Sequence, residues 1–561
     1  LCQDRGWHPA GCTVAAIVFA FGASSAWRVQ HIAHIQSLAY FAIGMWLLAR
    51  ALQRSSVIYG VLTGIAAGMM MIEPNQVALL GAYVLAGICV AHWLQSANWR
   101  AALIASIKPL ACAIAAAALL DAVPLISTYL FLESSNRPEI LFSEAVRGSL
   151  HPASLLTAVV PDMFGSISAN VDYWGPYSEW WDKNELTVSF NMSQMYVGSL
   201  PVLLVLTVGV VRGALWAREV RALAVVTLVL LAYALGGHTP VFQVFFHYLP
   251  GVAFFRRPVD ATFLIGTMLA ILAGYLVHLW ASGKLPAASP RARAVEISLL
   301  VSILAAGLTI AWGYGKTADA WKPLAMGAIW IAAAALILST PVAWVKRSAP
   351  LAIIAPALFL AGDLAWSNGP NESTGAPPAE YEVLKPDCKN ATVRFLKDHL
   401  RSATSSPWRD RIEVVGVGFD WQNVAQVHGF ESTLGYNPFR LAELSLATGA
   451  RDYIAGPDQK TFSPLFSSYD SPMADHLGIR FVVTGAPIEE IDRKLEPAAL
   501  KLVALTSDGF IYENLHALPR VLFTTDWQRA DFAHLTKTGN WPSFDPRRTV
   551  LLENAPARRE N

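Results

Sequence analysis

Long apolar runs are the feature that most constrains this chain. A helix that crosses a lipid bilayer needs about 20 mostly apolar residues, because its backbone polar groups must be paired within the helix itself. About eleven runs of this kind occur, in a chain that is 54% hydrophobic and only 15% charged. The predicted spans are 10–27, 36–52, 56–72, 76–95, 109–131, 196–212, 222–236, 260–280, 296–314, 323–344 and 350–366. The sequence therefore predicts a polytopic α-helical membrane protein with about eleven transmembrane helices.

The chain changes character after Trp366. A linker rich in Ser, Asn, Gly and Pro follows, and the remaining sequence has the composition of a soluble domain. Alternating apolar residues predict strands at 411–417, 479–484 and 500–505. We therefore expect a transmembrane helical domain at 1–366, with a long loop at about 132–195, and a C-terminal α+β domain at 367–561.

The basic residues of the short loops predict the orientation of the chain. Loops on the cytoplasmic side of a membrane protein carry an excess of Lys and Arg. One alternate set of loops contains Arg50, Arg54, Arg100, Arg212, Arg218, Arg221, Lys284, Arg291, Arg293, Lys346 and Arg347. We expect that set to be cytoplasmic, which places the long loop and the C-terminal domain on the extracytoplasmic side.

Composition also excludes several kinds of partner and site. The formal net charge is +1, so no basic field is present that would bind nucleic acid. Five cysteines are too few and too scattered for a disulfide framework, and no metal-ligand spacing occurs. We expect no cofactor; a divalent metal is compatible with the sequence but nothing indicates one.

The long loop contains carboxylates and aromatic residues that could form a site. Asp162 is one of its carboxylates, and Tyr173 and Trp174 begin an aromatic cluster that extends to Trp181. Such a cluster is either an interfacial aromatic belt or a platform on which a sugar ring or lipid headgroup stacks. Amphipathic stretches at 138–148 and 152–160 are expected to lie along the membrane surface.

A second concentration of polar residues precedes the span that begins near Asp260. This segment, 238–258, is too polar and too rich in Pro to span a membrane, and it includes Arg256 and Arg257. Paired guanidinium groups suit a phosphate or pyrophosphate, since each offers bidentate donors. The alternative is that the two arginines anchor a helix end to lipid headgroups.

Ionisable and small residues near the spans form a third group. Arg28, His31, His34, Glu73 and Asp121 lie beside or inside predicted spans, where a charged group usually faces a cavity or a partner. The two histidines could act as a base or as metal ligands, but no third ligand accompanies them and interfacial histidines explain them better. Asp121 suits an interhelical hydrogen bond as well as a cavity. Gly60, Gly64 and Gly68 recur every four residues, which favours close helix packing in lipid.

Several short strings in a fixed order resemble the bacterial YfhO family, which belongs to the glycosyltransferases of the C superfold. In the membrane part they are 22–34, 38–51, EPNQ at 73–76, VPDMFG at 160–165, YVGSLP at 196–201, GHTP at 237–240, LPG at 249–251, FRRP at 255–258 and DL at 363–364. In the C-terminal part they are GYNP at 435–438, LGIRFVV at 477–483, YEN at 512–514 and LPR at 518–520.

The resemblance implies transfer of a sugar from a polyprenyl-phosphate carrier to a cell-envelope glycan or polymer, at the outer face of the bacterial cytoplasmic membrane. Arg256 and Arg257 would bind the phosphate, and Asp162 would be a carboxylate at the cavity. His31, His34, Glu73, Asp121, Tyr173 and Trp174 are the further candidate substrate-binding residues.

This chain departs from the family pattern at three places. The expected catalytic acid of such enzymes lies in the first outer loop, between the first two spans, whereas Leu1 resembles the end of the second span. At the other end, the family pattern continues into a further β-rich stretch, and the C-terminal strings of this chain stop short of it. Val259 and Asp260 stand where a second arginine is expected after the proline. A transporter or flippase of lipid-linked sugar, or a non-catalytic envelope assembly protein, therefore remains an alternative.

Overall fold

A computed structural model describes most of the chain. The described residues are 1–135, 140–165, 173–176, 190–340, 349–369, 371, 381–400, 410–433, 441–448, 468–496, 498–538 and 541–555. Two compact units are present: Leu1–Thr128 with Glu139–Ala376, and Tyr129–Pro138 with Pro377–Asn561. The second unit thus takes in a short segment ahead of the predicted domain boundary at 366.

The first unit is a bundle of apolar helices. Its helices are α1 (Pro9–Phe21), α2 (Ala23–Ala26), α3 (Ile32–Arg54), α4 (Val57–Met71), α5 (Gln76–Gln95), α6 (Trp99–Ser134), α7 (Phe142–Ala145), α8 (Ser199–Leu204), α9 (Arg221–Ala234), α10 (Pro240–Tyr248), α11 (Thr262–Ala281), α12 (Pro290–Gly313), α13 (Thr317–Leu338) and α14 (Ala349–Ser367). A π-helical stretch, Val205–Val211, continues α8.

Among the described residues, eight helices are long and apolar enough to cross a membrane. They are Pro9–Ala26, Ile32–Arg54, Gln76–Gln95, Trp99–Ser134, Pro258–Ala281, Pro290–Gly313, Thr317–Leu338 and Pro350–Ser367. Three shorter apolar helices, Val57–Met71, Ser199–Val211 and Arg221–Ala234, coincide with the other three predicted spans. The chain is therefore a helical membrane protein, and the number of eleven spans stays a prediction.

Glycine allows α4 to pack directly against α6. A Cβ atom added at Gly60 or Gly64 would overlap the backbone of Pro109 or Ala113, and one added at Gly68 would lie 3.0 Å from the side chain of Leu120. The small residues predicted at four-residue spacing therefore form a contact face, and close helix packing there is confirmed. In lipid, this close approach supplies the dispersion contacts that hold helices together.

One helix is longer than predicted, and the amphipathic stretches of the long loop are partly buried. Helix α6 has 36 residues and begins ten residues before the predicted span. The amphipathic stretches of the long loop contain short helical turns, at Val146–Gly148 and Pro152–Ala158, and their position along the membrane surface stays a prediction. Leu150, Ser154 and Thr157 are fully buried. Hydrogen bonds hold the buried Thr157 in place: its hydroxyl donates to the carbonyl of Ser193 at 2.9 Å and accepts from the Met195 amide.

The second unit contains a small mixed sheet flanked by short helices. Its strands are β1 (Arg411–Val415), β2 (Glu431–Ser432), β3 (Ile479–Thr484), β4 (Lys501–Leu505), β5 (Phe510–Glu513), β6 (Asp526–Arg529) and β7 (Thr549–Leu552). The first five strands form one sheet in the order β2-β1-β3-β5-β4, and β6 pairs with β7. Strand β1 is parallel to β2 and β3, whereas β5 is antiparallel to β3 and β4.

The helices of the second unit are short. They are α15 (Ala391–His399), α16 (Val424–His428), α17 (Ala442–Thr448), α18 (Pro472–His476), α19 (Ile488–Ile491) and α20 (Phe532–Thr538). Strand β3 is the centre of the main sheet and is buried along most of its length, as in Phe481 and Val483. Strands β1, β3 and β4 coincide with the three predicted alternating runs, and this part of the chain has the expected α+β composition.

Candidate functional site

A buried ion pair joins the turn before α3 to the start of α11. The Arg28 side chain is fully buried, and its Nη1 donates to Oδ1 of Asp260 at 3.0 Å. Its guanidinium also donates to the Thr262 hydroxyl and lies 3.7 Å from the centre of the Phe263 ring. Burial lowers the pKa of Arg28 to about 10, partly offset by Asp260, so the group stays charged at neutral pH.

Two histidines lie beside this pair. Nε2 of His34 is 3.8 Å from Oδ2 of Asp260, and its ring stacks on Phe263 at 5.6 Å. The His31 ring is 5.5 Å from the His34 ring in an edge-to-face arrangement. Burial, together with His34 and the arginine charges, lowers the pKa of His31 to about 4. His31 is therefore a neutral imidazole at physiological pH, able to donate or accept a hydrogen bond.

Arg257 adds an uncompensated positive charge to this group. Its side chain is half-buried, and no ion pair or hydrogen bond of its guanidinium is found among the described residues. Its charge is close enough to lower the pKa of both Arg28 and His31. We call Arg28, His31, His34 and Arg257, with the Asp260 carboxylate, the cationic cluster.

The charges of the cationic cluster favour an anion. Arg28 and Asp260 offset each other, and neutral histidines add no charge, so Arg257 remains as one net positive group. A guanidinium presents several N–H donors in a planar fork, which matches the oxygens of a phosphate or carboxylate. The cluster can therefore hold a small oxyanion at the end of an apolar helical bundle.

The turn between α4 and α5 lies against the same elements. Asn75 caps α5 by accepting from the Ala78 amide at 3.0 Å, and it donates to the Ser37 hydroxyl of α3 at 2.8 Å. The next side chain, Gln76, is buried between the Tyr233 hydroxyl and the carbonyl oxygens of Arg256 and Arg257. Three of the strings that carried the resemblance, at 22–34, 73–76 and 255–258, thus meet at one place.

Asp162 lies in a different environment. It has a positive φ of 56°, and its Oδ1 is buried without a hydrogen-bond partner. Burial alone raises the pKa of its carboxyl to about 6. No arginine contributes to that shift, so the structure does not bring Asp162 into the cationic cluster.

The described aromatic residues of the long loop do not form an open platform. Trp174 is fully buried and packs edge-to-face on Phe164 at 5.0 Å between ring centres. The Tyr173 hydroxyl donates to the carbonyl of Pro176 at 3.0 Å. Trp174 is a core residue whose faces are closed to a sugar ring, which corrects the stacking interpretation at this position. The cluster members Tyr177, Trp180 and Trp181 lie outside the described residues.

Glu73 and Asp121 are also separate from the cationic cluster in their contacts. Glu73 is exposed, and its backbone carbonyl accepts from the Asn75 side chain at 2.8 Å. Asp121 is buried within α6, and its Oδ1 has no hydrogen-bond partner. Neither carboxyl forms an ion pair or a side-chain hydrogen bond with a member of the cationic cluster among the described residues.

Asp363 is a buried carboxylate that the sequence analysis noted only as part of a string. It accepts from the Tyr196 hydroxyl, the Ser199 amide and the Ser199 hydroxyl, each at 2.7 Å. The amide belongs to the first residue of α8, where a negative charge is favourable. With these donors Asp363 is satisfied, and it holds the start of α8 to the end of α14.

Sequence reasoning missed the roles of Arg28, Gln76 and Tyr233. A signal was available for Arg28, because a charge beside an apolar span needs a partner. The departure from the family pattern at Asp260 supplied that partner. No periodicity or spacing pointed to Gln76 or Tyr233, since both are single polar residues inside apolar segments.

Comparisons with known proteins identify no relative of this chain. No family model, no curated protein and no solved structure matches this chain. In the part of the chain that the structure describes, no group of three or more His, Cys, Asp or Glu side chains could hold a metal ion.

Proposed function

We propose that this protein is a membrane glycosyltransferase that uses a polyprenyl-phosphate sugar and transfers the sugar to a cell-envelope acceptor on the extracytoplasmic face. The observation that carries the proposal is the half-buried Arg257 guanidinium, which has no counter-ion among the described residues and adds its charge to the cationic cluster. A phosphate headgroup of a lipid would supply the missing negative charge while its chain remains in the bilayer. The transfer step itself rests on the resemblance to the YfhO family.

In this proposal the cationic cluster binds the leaving group. The acceptor hydroxyl attacks the anomeric carbon and its proton passes to a carboxylate, while the bond between that carbon and the phosphate oxygen breaks. The phosphate departs with the bonding electron pair, and Arg257 stabilises the charge that develops on it. His31, neutral at physiological pH, would donate a hydrogen bond to a phosphate oxygen.

The base in this step is not assigned. Asp162 carries a raised pKa near the working range of a general base, but no contact places it at the cationic cluster. The catalytic role of Asp162 therefore stays a prediction from the sequence.

The proposal is tested by turnover of a labelled polyprenyl-phosphate sugar by the purified protein in lipid nanodiscs. We expect release of polyprenyl phosphate, with a loss of about 100-fold or more in Arg257→Ala, as for removal of a donor to a developing oxyanion. Arg293→Ala is the matched control, because Arg293 is exposed at the start of α12. Equal turnover by Arg257→Ala and wild type would reject the phosphate role.

A second assay separates transfer from transport. A flippase moves the intact lipid-linked sugar between leaflets and breaks no bond to it. If labelled donor crosses the bilayer of a proteoliposome without release of polyprenyl phosphate, the transport alternative replaces the enzyme.

A further inference from the structure

The backbone at Arg257 has a conformation that non-glycine residues rarely adopt. Its φ is 73° and its ψ is 68°, in the left-handed region. A side-chain-bearing residue held there is strained and persists only where its surroundings fix it. Glycine would adopt this conformation without strain, so the backbone of Arg257 must be held by its neighbours.

Gln76 contacts this turn from the first residue of α5. Its carboxamide lies between the Tyr233 hydroxyl and two backbone carbonyl oxygens, those of Arg256 and Arg257. Two carbonyl oxygens can only accept, so the amide nitrogen must face them and the amide oxygen must face the hydroxyl. In that orientation the nitrogen donates to Arg257 at 3.1 Å, and the oxygen accepts from Tyr233 at 2.7 Å.

The surrounding residues leave this arrangement little freedom. Gln76 and Tyr233 are 3% and 1% exposed, and the Tyr233 ring packs edge-to-face on Phe242 at 5.1 Å. Gly148 also fits closely against the turn, because a Cβ atom added there would overlap the Cα of Arg257. The backbone of Arg257 is therefore held by a hydrogen-bonding amide and by a glycine that fits closely against it.

We propose that Gln76 is a positioning residue that holds the turn of Arg256 and Arg257, so that the Arg257 guanidinium stays in the cationic cluster. Tyr233 orients the Gln76 amide, and Gly148 provides the space for the turn. The role in ligand binding rests on the proposed function, whereas the role in fixing the turn does not. Gln76 itself does not contact the substrate in this account.

The first test measures the turn without any ligand. Phenylglyoxal modifies arginine side chains, and peptide mass spectrometry gives the rate at each arginine. We expect Gln76→Leu to speed modification of Arg257 at least threefold, because the released turn lets the guanidinium swing into solvent, while Arg293 keeps its rate. Tyr233→Phe should have a smaller effect in the same direction. An unchanged rate at Arg257 in Gln76→Leu would overturn the inference.

The second test is a double-mutant cycle on the affinity for polyprenyl phosphate in phosphatidylcholine nanodiscs. Gln76→Leu should weaken binding about tenfold in the wild-type background and add little in the Arg257→Ala background, because two residues that act through one contact are not additive. A purely structural role would weaken binding equally in both backgrounds.

The outcomes distinguish the two proposals. Faster modification of Arg257 in Gln76→Leu, together with non-additive effects of the two substitutions on affinity, supports both proposals. Faster modification with additive affinities overturns the action of Gln76 through Arg257. If Arg257→Ala binds polyprenyl phosphate as well as wild type, the proposed function fails, while the modification rates still decide whether Gln76 fixes the turn. Melting temperatures of all variants identify any that fail to fold.

Discussion

The Arg28 and Asp260 pair is expected to contribute strongly to stability. Both side chains are buried, so Arg28→Ala leaves a carboxylate in an apolar setting without its counter-ion. Breaking a buried pair in this way typically costs about 3–5 kcal/mol. We expect a large drop in the unfolding midpoint of the detergent-solubilised protein, partly restored by Arg28→Met combined with Asp260→Asn.

The matched control is the pair of Arg50 and Asp4, which is 2.6 Å long but partly open to solvent. Solvent screens such pairs, so Arg50→Ala should change the midpoint little. Similar midpoints for Arg28→Ala and wild type would contradict the buried pair.

Asp162 should make stability depend on pH. Folding raises the pKa of its carboxyl from 3.8 to about 6, so the folded state binds more protons than the unfolded state between those values. Stability should therefore fall as pH rises from about 4 to about 6, by roughly 1.4 kcal/mol for each unit of pKa shift, and stay lower above that range.

The variant Asp162→Asn removes the contribution of this carboxyl to the pH dependence of stability. Asparagine tolerates the positive φ and cannot ionise, so we expect a higher melting temperature than wild type at pH 8 and a similar one at pH 4. The lowered pKa of His31 acts in the opposite sense and is common to both proteins. If the melting temperatures of wild type and variant differ by the same amount at pH 4 and at pH 8, the buried carboxyl does not titrate as described.

Residue identity alone could predict only part of the candidate site. Arg257 was found because paired arginines at a membrane boundary are unusual, and the structure places it in the cationic cluster. Arg28 was noted as a charge near a span, but its partner lies 232 positions away and only the fold joins them. Trp174 shows the opposite limit, since an aromatic residue in a polar loop is equally typical of a surface and of a core.

Packing of α4 on α6 gives a prediction at the level of elements. Gly64→Ala places a methyl group where the Ala113 backbone lies, so we expect the helices to separate and the melting temperature to fall. Gly87→Ala in α5 is the control, because a Cβ there meets nothing within 4 Å. Alanine is the better helix former by about 1 kcal/mol, so that variant should be neutral or slightly more stable. A neutral Gly64→Ala would show that this close contact is not required.

Helix positions were more predictable than helix lengths. Each predicted span coincides with a helix, because hydropathy is a property of local sequence. Helix α6 is longer than predicted since Arg100 and Lys108 lower local hydropathy without breaking the helix. Within 146–158, Leu150, Ser154 and Thr157 are buried by the protein itself. The sequence could not predict this burial, because an amphipathic pattern does not say which partner covers the apolar side.

The orientation of the whole molecule stays a prediction from the basic loops. We expect a cysteine placed at the exposed Glu489 to react with a membrane-impermeant maleimide in intact cells, and one at the exposed Arg293 to react only after lysis. Both are made in a background without the five native cysteines. The reverse labelling pattern would place the C-terminal domain in the cytoplasm and exclude transfer on the outer face.

The central claim is that the cationic cluster holds the phosphate of a lipid, and affinity tests it most directly. Binding of polyprenyl phosphate and of the uncharged polyprenol is compared in phosphatidylcholine nanodiscs for wild type, Arg257→Ala and Arg293→Ala. We predict that wild type and Arg293→Ala bind the phosphate at least tenfold more tightly than the alcohol, a difference of about 1.4 kcal/mol, and that Arg257→Ala loses this preference. Equal affinity of the wild-type protein for the two lipids would contradict the account.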